Sequence, residues 1–293
     1  MLLIAGTVPI KENFFIDGEA KFKGDHLLVD GHKISCTQGT ASMVSAAAIT
    51  TDYLGIDAPH VILAGDIGDG WGSKMLFRHL IDNLPKIAPG VLSLHYFLPI
   101  IPLMERVIDS VEKCVQKPIL IADAGAMYAA KAAGLSSKFD VFTPDAGEMA
   151  FLADPDATHP AYIRHYLFET DITKAPELIK AAFDRGDLPK TLLVKGPKDY
   201  IANDGKILAT IDEPNIPFME AIGGTGDTIT GLVSAFVHAE LESHEAAIIA
   251  AKTNRMAGKF ANVTPASKIW EVISQFPAVF KEHLCKWTDI CSF

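Results

Sequence analysis

Ala221-Ile222-Gly223-Gly224-Thr225-Gly226-Asp227-Thr228-Ile229-Thr230-Gly231 is the stretch from which the rest of the chain is read. Its glycines let the backbone turn several N–H groups toward one point. Ile229, Leu232, Val233, Phe236 and Val237 then recur at i, i+3, i+4, i+7 and i+8, the spacing of a helix with one buried stripe. The unpaired N–H groups at such a helix start, with the positive end of its dipole, favour an anion, phosphate above all. Asp227 has two readings here, as a cap for those donors or as a carboxylate held beside the anion. The stretch alone leaves both open.

Composition narrows the setting. A chain of 293 residues with 49% hydrophobic content buries a full core, in one large domain or two modest ones. A net charge of -10 and a pI near 5.4 exclude a nucleic-acid surface, which needs a basic footprint. An acidic protein that takes nucleotide phosphates does so locally, with backbone amides, one or two lysines and a divalent cation. Cys36, Cys114, Cys285 and Cys291 form no CxxC motif and are expected as reduced thiols. No segment reaches the ~18 apolar residues of a membrane span, and residues 1–10 lack a basic leader, so a cytoplasmic protein without a membrane partner is expected.

Upstream of the motif the same theme repeats. Short apolar runs in residues 1–36 suit strands, and Cys36-Thr37-Gln38-Gly39-Thr40-Ala41-Ser42 is a second glycine-and-hydroxyl helix start, with a plain N-cap as its other reading. His60-Val61-Ile62-Leu63-Ala64 reads as a buried strand. It empties into a glycine loop at Gly68, Gly70 and Gly72, which is either a ligand-binding turn or only a tight connection. The G-x-G-x-G spacing is not the GxGxxG of a dinucleotide fold. Strands are also predicted at residues 118–123, 140–144 and 191–194, and helices at 43–54, 74–84, 104–115, 126–133, 244–262 and 268–280, with another opening at Asp145. Each strand delivers polar residues at its C-terminal end, as in a parallel sheet with a shared rim. Asn203-Asp204-Gly205 marks a hairpin. Residues 154–171 are polar and read as a loop or a helical insertion. No linker or repeat appears, so residues 1–293 are expected to form one α/β domain.

The order of residues 68–72, Asp123, Thr143-Pro144-Asp145-Ala146-Gly147-Glu148-Met149, Leu193-Val194-Lys195-Gly196 and Gly223-Gly224-Thr225-Gly226-Asp227 resembles the ribokinase-like superfamily. Within it, the chain is most similar to the ATP- or ADP-dependent NAD(P)H-hydrate dehydratases. The resemblance covers roughly residues 60–265. It implies a three-layer α/β/α sandwich around a central, mostly parallel sheet. It also implies roles: Asp227 as the base that activates a substrate hydroxyl, and the backbone of Gly224, Thr225 and Gly226 as the cradle of the transferring phosphoryl group. Lys195, Gly196, Gly223 and Gly226 would meet the nucleotide, ATP or ADP. Glu148 would position Mg2+ through water, and Gly68, Gly70, Gly72, Asp123 and Asp145 would border the small-molecule substrate. In the dehydratases a hydroxyl of the hydrated nicotinamide ring is phosphorylated and phosphate then eliminated. A sugar or vitamin kinase releases the phosphorylated product instead, and both suit catalysis by positioning and charge. A nucleotide-binding module without turnover is a third reading, and a homo-oligomer stays open.

The chain departs from the dehydratase pattern at two places. Asp145 stands where those enzymes carry a histidine of the hydrated-nicotinamide site, and residues 214–220 replace an Asn-x-x-Gly segment. Asp145 is closer to the Asn-x-x-Glu of sugar kinases, whereas Ala221-Ile222 stands where those kinases show Asp-Thr. Asp66 and Asp69 add negative charge beside the glycine loop. Asp123 reads equally as active-site carboxylate or helix cap, Lys195 as a nucleotide contact or a solvated lysine, and Trp71 as packing or stacking. His159 and His165 lack metal-ligand spacing.

Overall fold

The computed structural model describes residues 1–11, 13–157 and 172–290. Its strands are β1 (Leu2–Val8), β2 (Phe15–Phe22), β3 (His26–Val29), β4 (His32–Ser35), β5 (His60–Gly65), β6 (Val91–His95), β7 (Ile119–Asp123), β8 (Val141–Phe142), β9 (Thr191–Val194), β10 (Asp199–Asn203) and β11 (Lys206–Ile211). They form one sheet in the order β11-β10-β9-β8-β7-β6-β1-β5-β2-β3-β4. From β5 through β1, β6, β7 and β8 to β9 every pairing is parallel. Antiparallel strands flank this centre, β2 beside β5 and β10 beside β9.

Parallel neighbours need crossover connections, and these lay helices over both faces. Side chains alternate accordingly. Leu2, Ile4, Val61 and Leu63 join one core with α1 (Thr40–Leu54), α7 (Thr225–His238) and α8 (Ser243–Phe260). Leu3, Ala5, Ile62 and Ala64 join the other with α2 (Trp71–Ile87), α3 (Ile101–Val111), α4 (Ala124–Ala132), α5 (Ala146–Ala153) and α6 (Ala175–Phe183). The result is the three-layer sandwich with a mostly parallel sheet that the motif order predicts. The C-terminal ends of the parallel strands share one rim, where His95, Asp123, Thr143 and Lys195 stand side by side in space.

Most of the strands and helices named from the sequence are present, and Asp204-Gly205 turns the β10–β11 hairpin with φ of 49° and 71°. Helix α6 has no counterpart in the sequence expectation, and at two further places the elements differ from it. Strand β6 is one, because Ser93 and His95 interrupt its apolar run, yet all five of its residues are buried. The other is the helix expected over 268–280, which divides into α9 (Ile269–Ile273) and α10 (Phe276–Val279), since Pro277 has no N–H to donate to Ile273. Residues 158–171, with His159 and His165, lie outside the described residues, so the lid question attached to 154–171 does too. Cys36 and Cys114 are buried free thiols, whereas Cys285 is disulfide-bonded, against the expectation of four reduced cysteines. Among the described residues, no helix is long and apolar enough to cross a membrane.

Candidate active site

Gly224 is the N-cap of α7, with φ 96°, a conformation open to glycine and strained for other residues. A Cβ there would also lie 2.8 Å from Ser42 Oγ. The first turn of the helix is clamped in place: Asn254 Nδ2 donates to the Thr225 carbonyl at 3.1 Å, and the Thr228 hydroxyl donates to Asn254 Oδ1 at 2.8 Å. Thr225 Oγ1 donates back to the carbonyls of Met219 and Ile222. Backbone N–H groups in this turn have no intrahelical acceptor, and the N-cap Gly224 supplies no side-chain cap for them.

Asp227 therefore does not cap its own helix. Its Oδ2 instead accepts the N–H of Gly39, the N-cap of α1, at 2.7 Å, while Oδ1 lies 3.2 Å from His95 Nε2. The second glycine-and-hydroxyl helix start thus serves to hold the carboxylate of the first. Asp123, at the end of β7, divides its labour by oxygen. Oδ1 accepts the N–H of Ala124 at 2.9 Å at the start of α4, and Oδ2 accepts from Lys195 Nζ at 2.8 Å and Thr230 Oγ1 at 2.5 Å. Asp123 is thus the cap of α4, as one sequence reading had it, and its second oxygen is held by Lys195 and Thr230.

Lys195 is not a solvated lysine. Its side chain is 11% exposed, and a Cβ on Gly226 would sit 3.5 Å from its Nζ, so the ammonium lies against the first turn of α7. Although burial disfavours its charge, Asp123 and Glu148 raise its pKa. Asp123 is held ionised in turn by Lys195 and His95, against burial. Gly196 belongs to a turn secured by Arg255, which donates to Asp199 Oδ2 at 2.9 Å and to the carbonyls of Gly196 and Pro197.

Glu148 and Asp145 form a reciprocal capping box at the start of α5. The Asp145 N–H donates to Glu148 Oε2, the Glu148 N–H donates to Asp145 Oδ1, and the Tyr128 hydroxyl donates to Glu148 Oε1. Burial, then the charge of Asp123, pushes the Glu148 carboxyl up to about 7. These groups line one cleft of about 410 Å3, shared by Asp123, Asp145, Glu148, Lys195, Thr225 and Asp227. Gly196, Gly226 and Tyr96 border it as well.

The glycine loop is not among the residues lining this cleft. Asp66 organises it, accepting the N–H groups of Gly68, Gly70 and Ser73 and the Ser73 hydroxyl, which spends the charge that the sequence set beside a substrate. A Cβ on Gly72 would fall 2.4 Å from the Gly65 carbonyl oxygen, so this glycine serves close strand-to-helix approach. The loop reaches the site's surroundings through Ser73, whose hydroxyl accepts the Leu98 N–H at 3.0 Å, two residues beyond Tyr96. Trp71 opens α2 and is half-buried.

His95 is one of the residues that the sequence reading missed, with Tyr96, Tyr128, Asn254 and Arg255. It is fully buried, with Nδ1 3.0 Å from Thr40 Oγ1 and Nε2 3.6 Å from Asp123 Oδ2 in addition to its approach to Asp227. Together, His95, Asp123 and Asp227 offer ligand atoms within 4.8 Å of one another, close enough to suggest a metal. Lys195 and Thr230 already occupy Asp123 Oδ2, however, which leaves a cation there in competition with an ammonium. Magnesium prefers hard oxygen donors and retained waters, which suits Glu148 on the open cleft better.

A family model described as NAD(P)H-hydrate dehydratase matches residues 98–270. An uncharacterised protein of Methanocaldococcus jannaschii is 40% identical over 242 residues, 83% of this chain and 100% of that protein. An ADP-dependent (S)-NAD(P)H-hydrate dehydratase of Xanthomonas campestris is 25% identical over 251 residues, 83% of this chain and 78% of that one. Among solved structures, a ribokinase-like superfamily protein of Enterococcus faecalis superposes with a TM-score of 0.56 at 13% identity, covering 96% of this chain and 86% of that one. The ADP/ATP-dependent NAD(P)H-hydrate dehydratase of Bacillus subtilis, co-crystallised with ATP/Mg2+, gives 0.54 at 15% identity, covering 82% and 83%. The fold is ribokinase-like.

Proposed function

Because the chain belongs to the NAD(P)H-hydrate dehydratase family, we propose that it transfers a phosphoryl group from ATP or ADP to a hydroxyl of hydrated NADH or NADPH, and that loss of phosphate then restores the dinucleotide. The observation that carries the reading is Asp227, a carboxylate in the first turn of α7 that leaves its own helix uncapped and faces the cleft beside Lys195. Asp227 takes the proton from the attacking hydroxyl. The amides of Gly224, Thr225 and Gly226 stabilise the charge on the phosphoryl oxygens, and Gly223 gives the backbone its approach. Lys195, beside Gly226, binds the phosphates on the nucleotide side, and Gly196 lines the same edge. Glu148 would hold Mg2+ through its waters, and the ion when bound would neutralise phosphate charge. Asp123 keeps Lys195 in place, Asp145 borders the acceptor, and the loop of Gly68, Gly70 and Gly72 supports the acceptor side through Leu98.

Asp145, standing where the dehydratases carry a histidine, favours one second reading, a small-molecule kinase on the same machinery. Incubation with NADH hydrate, Mg2+ and ATP or ADP regenerates NADH absorbance on the first reading. No recovery, with a sugar or vitamin alcohol phosphorylated instead, selects the second. Asp227→Asn is expected to lower kcat at least ~100-fold while keeping nucleotide affinity. Full turnover in that variant removes Asp227 as the base.

A further inference from the structure

Between the base and the buried carboxylate of Asp123 stands one group with no assigned part in the reaction, the imidazole of His95. Parallel register sets it there: His95 ends β6 opposite Asp123 on β7 and Gly6 on β1. A Cβ on Gly6 would come within 2.8 Å of Thr40, so the missing side chain is what lets Thr40 reach the ring. The imidazole has no solvent exposure, and Tyr96 packs edge-on against it with centroids 4.5 Å apart.

The hydrogen on each nitrogen is set by the neighbours. Among the described residues Nε2 faces two carboxylate oxygens, Asp227 Oδ1 at 3.2 Å and Asp123 Oδ2 at 3.6 Å, neither of which donates. A bare lone pair there would oppose two anions, so Nε2 carries a hydrogen. It is aligned on neither oxygen as a full hydrogen bond, and lies between the two. On the other side, Nδ1 meets the Thr40 hydroxyl, which can accept as readily as donate. Charge decides the state. From α7 the ring faces Asp227, with Thr230 bound to Asp123; from β7 it faces Asp123, from α1 Thr40, and from the end of β9 Lys195 lies beyond Asp123. Lys195 is bound to Asp123, so a neutral ring would leave Asp227 as a nearly buried anion with one backbone N–H and a distant hydroxyl at 3.5 Å.

We propose that His95 is a positioning residue for the reaction: a buried imidazolium that spans Asp123 and Asp227 and clamps the base as an anion against the Gly39 N–H. The proposal rests on the reading of Asp227 as the base, and it adds a residue to that machinery. The balance of forces at the ring agrees: burial disfavours its charge, the two carboxylates outweigh burial, and its pKa stands at about 9. His95 in turn lowers the pKa of Asp227, against burial and the charge of Asp123. Loss of the imidazolium therefore raises the Asp227 pKa and moves the acid limb of the rate profile upward.

Two measurements test this. Nitrogen-15 spectra of the labelled wild-type protein at pH 7.5 are expected to show both His95 nitrogens protonated, with titration near pH 9 that moves down in Asp227→Asn. A neutral ring at pH 7.5 overturns the proposal, whatever Asp227 does in catalysis. In His95→Gln, with Mg2+ saturating at every pH so that Glu148 does not set the limb, kcat is expected to fall about 10- to 100-fold, with the nucleotide KM within about twofold and the acid limb shifted up. A loss of folded protein with an unmoved limb means a merely structural histidine and overturns it. So does a metal ion retained stoichiometrically by the dialysed wild type and lost in His95→Gln. Full turnover in Asp227→Asn instead defeats the base assignment, and the spectra separate that failure from this one.

Discussion

At the scale of single residues, the cleft is a set of carboxylates driven apart in acidity by their neighbours. Asp123 has Lys195 and His95 against it and stays ionised. Glu148 has burial and Asp123, which bring its carboxyl to about 7, so its charge changes across the neutral range. The sign is fixed by this upward shift: below that value Glu148 is mainly neutral, and above it the anion that attracts a cation is present. If Glu148 holds hydrated Mg2+, the Mg2+ concentration giving half-maximal activity falls several-fold between about pH 6 and about pH 8. Magnesium titrations at both pH values check this, and Glu148→Gln is expected to flatten the difference. An unchanged midpoint in the wild type places the metal elsewhere. The Tyr128 hydroxyl and the Asp145 N–H hold the two Glu148 oxygens in place.

At the scale of elements, the start of α7 has to keep its amides together around one point, and Gly224 sets that curvature with its φ of 96°. Gly224→Ala introduces a strained backbone and a Cβ 2.8 Å from Ser42 Oγ. A loss of about 1–3 kcal/mol in unfolding free energy is expected, together with weaker nucleotide binding; denaturant melts and nucleotide titrations report the two separately. Wild-type stability in this variant contradicts the geometry. This helix start was legible in the sequence because glycine spacing and a helical apolar stripe are both local signals. So were the ends of β5, β7 and β9, each an apolar run stopping at a polar residue. Strand β6 was not legible, since Ser93 and His95 look like solvent-facing positions until the strand is known to be buried on both faces. The Ala88-Pro89-Gly90 turn before it was the one local sign of its beginning. Nor could the sequence show that Gly39 and Asp227, 188 residues apart, would pair. That contact depends on α1 and α7 lying together on one face of the sheet, which only the strand order decides.

At the scale of the whole molecule, the chain carries a net charge of -10, and the cleft proposed to take phosphates is itself acidic. Asp123, Asp145, Glu148, Asp199, Glu220 and Asp227 line it against Lys195 and Arg255. Both cations are already engaged, Lys195 with Asp123 and Arg255 with Asp199. A nucleotide entering alone therefore meets a negative field opposed mainly by helix-start amides and one shared ammonium. Those donors are short-ranged, whereas repulsion from six carboxyl groups reaches across the cleft. Binding should then depend on a divalent cation to an extent that a basic phosphate site would not. With Mg2+ and ATP at a hundredfold excess over Kd, the folded state gains about 2.7 kcal/mol, read as a rise of several degrees in Tm. With ATP and a chelator, the rise should vanish, and Mg2+ alone should give only a small one. An equal shift from ATP with chelator would mean that the nucleotide binds away from these carboxylates, and the assignment of the cleft would fail with it.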